Sequence, residues 1–187
     1  MGCRVRIVDL TRADEALIRQ CAELLVDGFR VMAPDGWTTM DEALAEMDEC
    51  LDAAYICRVA VDEAGVVLGW IGGRPEYDGR VWELHPVVVR PAQQRQGIGR
   101  ALVLDLEAQV QARGGITIQL GTDDQNNLTT LGGVDLYPDP LAHLRQIRNL
   151  HGHPFEFYQK LGYVFIGLLP DANGFGKPDL FMAKRVG

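Results

Sequence analysis

Between the valine-rich segment that ends at Val89 and the apolar run that starts at Ile98, the chain reads Arg90-Pro91-Ala92-Gln93-Gln94-Arg95-Gln96-Gly97-Ile98-Gly99. Glycines, arginines and amides at the handover from a strand to a helix describe an anion site. The first turn of a helix leaves backbone N–H groups unpaired and carries a partial positive charge, and glycine lets a bulky anion approach the backbone closely. Spacing excludes two nucleotide motifs. A P-loop requires Gly-Lys-Ser/Thr, but Gly99 is followed by Arg100 and Ala101; a dinucleotide fingerprint requires a third glycine where Leu102 stands. An ordinary solvated turn and a binding loop remain, and the valine-rich strand before and the helix behind favour the loop.

A second group with chemistry lies just upstream. Glu83 and His85 stand two apart in the strand expected over Trp82–Val89, so both point to one face. A carboxylate beside Leu84 in an otherwise apolar strand is a candidate for holding a cation or taking its proton. His85 either shares that relay or is a hydrogen-bonded core histidine. Asp123 and Asp124 follow another apolar strand, where ligands gather in open sheets; they either hold cationic groups or cap the next turn. Trp37 and Tyr77 are candidate aromatic walls. The helix after Trp37 carries Asp41, Glu42, Glu46, Asp48, Glu49 and Asp52; such a run is usually a solvated face, with Glu46 and Glu49 as its candidates for a site.

The elements that must position these groups follow from periodicity. Apolar residues at helical spacing predict a helix over Asp14–Phe29 with Thr11 or Asp14 as cap, and the acidic helix spans Thr39–Leu51 after a turn at Ala33–Gly36. Strands are expected at Arg4–Val8, Tyr55–Val61, Val66–Arg74, Trp82–Val89 and Ile116–Leu120, with a hairpin around Asp62–Gly65. The Ile98–Ala112 helix ends at Gly114-Gly115. Beyond Gly121 the chain is polar and irregular up to Gly152, with a short helix at Leu141–Leu150. A helix over Pro154–Leu161 and strands at Tyr163–Leu169 and Asp179–Lys184 complete one mixed α/β domain over residues 1–187.

Bulk properties narrow the partners. With 187 residues and 47% hydrophobic content, one domain can bury a sizeable core. A net charge of -8 argues against nucleic acid and favours cationic ligands. No apolar run reaches the ~20 residues of a membrane span, and Arg4, Arg6 and Asp9 interrupt any signal-peptide core. Cys3, Cys21, Cys50 and Cys57 show no metal spacing with the histidines, so free thiols in a reducing cytoplasm and no metal are expected.

Gln94-Arg95-Gln96-Gly97-Ile98-Gly99 resembles the Gln/Arg-x-x-Gly-x-Gly/Ala pyrophosphate loop of coenzyme A in the GNAT acetyltransferases. Three further stretches agree: Trp82-Glu83-Leu84-His85-Pro86; Gly114-Gly115-Ile116-Thr117-Ile118 with Leu120-Gly121-Thr122-Asp123-Asp124; and His153-Pro154-Phe155-Glu156-Phe157-Tyr158-Gln159-Lys160-Leu161-Gly162-Tyr163. Together they resemble the aminoglycoside 6′-N-acetyltransferase group of that superfamily, strongly from Trp82 to Lys184 and weakly before Val66.

The resemblance implies a GNAT fold of class α/β (α+β), with a mixed, mostly antiparallel central sheet splayed after the fourth strand and flanked by helices. It implies acetyl-CoA as co-substrate, bound by Gln94, Arg95, Gln96, Gly97, Ile98, Gly99 and Arg100. It further implies that the backbones of Val87 and Val89 pair with the pantetheine arm. The Val87 amide is then the oxyanion donor, and Pro86, lacking an N–H, suits a break in the ladder. Glu83 is the candidate for binding the amine and taking its proton, directly or through water, with His85 in the relay. Tyr158 is the candidate acid near the coenzyme sulfur, or otherwise one more ring in the Phe155/Phe157/Tyr163 cluster. Asp123, Asp124, Trp37 and Tyr77 complete the expected substrate site of a cytoplasmic homodimer. Two alternatives compete: acetylation of another amine, such as a polyamine or peptide, and coenzyme binding without turnover. Intact Glu83, Tyr158 and loop glycines oppose the second.

Overall fold

The computed structural model describes residues 5–30 and 36–187; residues 33–35 of the expected turn, together with Arg4 and Cys3, lie outside them. The chain forms two compact units, Met1–Ile118 with Val186–Gly187, and Gln119–Arg185.

In the first unit, β1 (Arg6–Asp9), β2 (Ile56–Val61), β3 (Val67–Glu76) and β4 (Val81–Val89) pair as an antiparallel meander. Helices α1 (Glu15–Phe29) and α2 (Met40–Cys50) lie between β1 and β2 in the chain, and α3 (Ile98–Ala112) follows β4. Helix α2 starts at Thr39 through a capping box: the Thr39 hydroxyl accepts from Glu42 N, and the Glu42 carboxylate accepts from Thr39 N. Asp14 occupies the N-cap of α1 but gives no side-chain cap bond there; its carboxylate accepts from Thr11 instead. Cys21, Leu24 and Leu25 of α1 and Met47 and Cys50 of α2 bury one core with Val59, Trp70 and Val88.

Strand β3 packs helices on both faces. Trp70 donates through Nε1 to the Cys21 carbonyl of α1 at 3.2 Å, and a Cβ on Gly72 would lie 3.0 Å from Cys50 Sγ of α2. On the other face, a Cβ on Gly73 would lie 2.7 Å from Leu106 of α3, so glycine is what lets that helix approach.

Between Ile71 and Gly73 the β3–β4 register shifts: Ile71 pairs with Val87, but Gly73 pairs with Leu84. One extra residue of β4 is accommodated at His85-Pro86, a bulge that switches which residues of β4 face which side. Glu83, opposite Arg74, lies on the α2 side, whereas Val87 and Val89, opposite Ile71 and Gly69, share the face that α3 covers.

The second unit holds most of β5 (Thr117–Asp123), then α4 (Pro140–Arg145), α5 (Phe155–Lys160), β6 (Val164–Leu169) and β7 (Asp179–Arg185). Strand β7 lies between β5 and β6, antiparallel to β6. The helix expected at Leu141–Leu150 ends already at Arg145. Asp139 caps it at Ala142 N and Pro140 opens it, but residues 148–150 bond to another segment instead. Thr130 N donates to Arg148 O, Arg148 N to Thr130 Oγ1, and Leu150 N to Leu128 O.

Candidate active site

The acidic run of α2 is divided among distinct tasks. Glu42 caps the helix, and Asp48 accepts from Arg12. Glu46 and Glu49, three apart and so on one helical face, both meet Arg74. Its Nη2 donates to Glu46 Oε1 at 2.9 Å and Glu49 Oε2 at 3.0 Å. Arg74 stands directly opposite Glu83 across β3 and β4. The Glu46 side chain is only 10% exposed and its Oε1 lies 3.8 Å from His85 Nε2, whereas Glu49 is 56% exposed. Burial raises the Glu46 carboxyl above its ordinary value, and the charge of Arg74 is the main opposing influence.

Trp37 closes this cluster. Its ring centroid lies 5.7 Å from that of His85 and 4.9 Å from that of Phe29. An open cleft of about 520 Å³ is lined by Gly36, Trp37, Glu42, Ala45, Glu46 and Glu49. Tyr77, by contrast, sits 75% exposed in the turn after β3, without the ring contact to His85 that Trp37 makes. Three carboxylates around one guanidinium leave a wall that attracts a further cation. Arg74 escaped the sequence reading; the available signal was a lone arginine ending an apolar, glycine-rich strand.

At the other end of β4, the 94–99 loop turns sharply. Arg95 and Gly97 adopt φ of 60° and 88°, and Gly97 is the N-cap of the 15-residue helix α3 without any side-chain cap bond. A Cβ at Gly97 would meet no atom within 4 Å, so space lies open above the helix start. Ile98 is buried in the core, whereas Gln94, Arg95, Gln96 and Arg100 are exposed. Uncapped amides beside exposed arginines suit a large anion.

In the second unit, Asp123 ends β5 with an exposed carboxylate that accepts from Asn173 Nδ2. Asp124 is fully buried and accepts from Leu128 N, Thr129 N and Thr129 Oγ1. Of the two readings for Asp124, turn capping is the one its hydrogen bonds describe. His153, which the sequence places at the head of the His153–Tyr163 stretch without a role of its own, ties the end of β5 to the start of α5. Phe155 N donates to its Nδ1 at 3.1 Å, which leaves Nε2 to donate to the Asp123 carbonyl at 3.1 Å. Burial lowers its pKa, consistent with a neutral ring. On α5, Tyr158 is 7% exposed, with its ring 5.1 Å from Phe157 and 5.8 Å from Tyr163. Burial raises its phenol, so it remains protonated at neutral pH.

Among the described residues, no group of three or more His, Cys, Asp or Glu could hold a metal ion, and no helix is long and apolar enough to cross a membrane. Residues 18–132 match the model of the acetyltransferase (GNAT) family. An aminoglycoside 6′-N-acetyltransferase solved in complex with coenzyme A is 41% identical over 97% of both chains, with a TM-score of 0.89. The aminoglycoside 6′-N-acetyltransferase from Enterococcus faecium is also 41% identical over 97% of both chains, with a TM-score of 0.87. The ribosomal-protein-S18-alanine N-acetyltransferase from Escherichia coli shares the fold at 16% identity, covering 98% of this chain and 95% of its own, with a TM-score of 0.64. No curated protein matches the chain.

Proposed function

The chain belongs to the acetyltransferase (GNAT) family and has its α/β fold, and from that premise we propose that it acetylates the 6′-amine of aminoglycosides with acetyl-CoA. The observation that carries the substrate is the wall of Glu46, Glu49 and Glu83 around Arg74, beside Trp37 and His85. It suits a polycation, and 41% identity over 97% of the chain to aminoglycoside 6′-N-acetyltransferases narrows the polycation to that class.

The residues present fit the coenzyme. The open, uncapped start of α3 at Gly97 and the exposed Gln94, Arg95, Gln96 and Arg100 would hold its pyrophosphate. Gly99 and the Ile98 backbone complete that loop, and the backbones of Val87 and Val89 would pair with the pantetheine arm. Acetyl-CoA, when bound, supplies the acetyl thioester. Glu83 holds the ammonium and takes its proton, directly or through water, and His85 extends the relay. The Val87 amide donates to the oxygen on which negative charge develops, and protonated Tyr158 supplies the proton for the departing sulfur. Asp123 offers an exposed carboxylate to a further ammonium, Tyr77 an exposed ring. Drug acetylation would confer antibiotic resistance, and the reading extends to a cytoplasmic homodimer.

Thiol release over a panel of amines tests the proposal. Kanamycin-like compounds with a free 6′-amine should be turned over, and analogues with a 6′-hydroxyl should not. Equal turnover of the two refutes the regiochemistry. Activity confined to polyamines or peptides assigns the enzyme another amine, and no thiol release from any amine leaves a binding protein.

A further inference from the structure

Arg74 is a cation built into a wall that is otherwise suited to cations. Its partners differ sharply: Glu49 is 56% exposed and Glu46 only 10%, and Glu46 is the one beside His85. A carboxylate that buried, deprived of its partner, either takes up a proton or forces the structure to rearrange. We propose that Arg74 is a positioning residue of this site, spanning from β3 to α2 to hold the Glu46 carboxylate charged and oriented beside His85, so that amine capture depends on it. The proposal rests on the amine-acetylating reading above.

Among the described residues, groups from three elements bear on the charge of Glu46. Arg74 approaches from β3 and His85 from β4, with Glu83 on β4 facing Arg74; Glu49 and Cys50 share its helix, and Trp37 lines the same cleft and favours the charged form. Burial and Glu49 favour the protonated form, and Arg74 is the cation that most strongly favours the charged one. Loss of Arg74 therefore raises the pH at which Glu46 ionises. The functional loss is greatest at low pH and shrinks as pH rises and Glu46 ionises unaided. Lysine preserves the charge and most of the effect, although one ammonium bridges two carboxylates less well than a guanidinium.

The test measures kcat/KM for amine and for acetyl-CoA against pH in wild type, Arg74→Met, Arg74→Lys, Glu46→Gln and the Arg74→Met/Glu46→Gln double variant. Arg74→Met should lower kcat/KM for the amine about tenfold at neutral pH, equivalent to ~1.4 kcal/mol. The loss should shrink at higher pH, with KM for acetyl-CoA held within about twofold. Arg74→Lys should recover most of it, and Arg74→Met should add nothing in the Glu46→Gln background. A loss uniform across pH, shared with acetyl-CoA or unrescued by lysine is a packing defect and overturns the proposal, as does no loss. Carbon-13 NMR of the Glu46 carboxyl in the free protein decides without substrate: its titration should move upward in Arg74→Met but not in Arg74→Lys. An unmoved titration overturns the positioning claim even if aminoglycosides are acetylated. An upward shift in a protein that acetylates no amine leaves Arg74's hold on the Glu46 charge standing but refutes the proposed function, and with it the dependence of amine capture on Arg74.

Discussion

Glu83 and Glu46 show how environment, rather than residue type, separates two carboxylates in one wall. Glu83 comes from a strand and faces Arg74 across the ladder, whereas Glu46 comes from a helix and is held by the same guanidinium at 2.9 Å. The proposed division is that Glu83 takes the proton while Glu46 supplies fixed charge. Glu83→Gln should then lower kcat by about 100-fold, the scale expected of one acid–base group. The loss should be greatest near neutral pH, where the amine is mostly protonated. Tyr158→Phe should lower kcat with a smaller effect on either KM, because the role proposed for the phenol is protonation of the departing sulfur rather than capture. Steady-state kinetics of the two variants check both, and wild-type kcat in each would remove the proton-transfer roles.

At the scale of elements, the bulge in β4 and the left-handed turn before α3 do most to arrange chemistry. The extra residue at His85-Pro86 lets one strand show Glu83 to α2 and Val87 to the α3 face, which an unbroken period of two forbids. The loop depends on Gly97 at φ 88°. A β-branched residue there has space but an unfavourable backbone conformation. Gly97→Val should therefore raise KM for acetyl-CoA at least about tenfold, on the order of the 1–3 kcal/mol cost of a strained backbone position. The amine KM should change little. Unchanged coenzyme affinity in a folded variant, measured by titration calorimetry, would remove the loop from the coenzyme site.

For the whole molecule, a net charge of -8 adds a long-range field to the local wall. Salt screens that field over ~8 Å at physiological ionic strength, whereas Glu46 and Arg74 in contact are screened much less. The amine KM should rise with salt and kcat should stay nearly constant. The slope should be steeper for acceptors carrying more ammonium groups. Kinetics in increasing potassium chloride check this; a salt effect on kcat alone would contradict an attraction that acts on capture.

Where periodicity and local chemistry were strong, the sequence alone was sufficient. The α1 and α3 helices, the β2–β3 hairpin and the Gly97 loop were legible because apolar spacing, caps and glycine act over a few residues. Glu83 and His85 were likewise placed together by the two-residue period of a strand. The helix after Asp139 was overextended because residues 148–150 bond to residues 128–130 instead, a pairing that local sequence does not reveal. Only the tertiary structure showed that the acidic face of α2 is divided, with Glu46 and Glu49 turned onto Arg74. It also showed that Asp124 is committed to a turn and that His153 joins Asp123 to α5. A charge run reads the same whether water or an arginine from a distant strand faces it. Which one does depends on contacts between residues 25 to 28 apart in the chain, and those exist only once the strands have paired and the helix has packed.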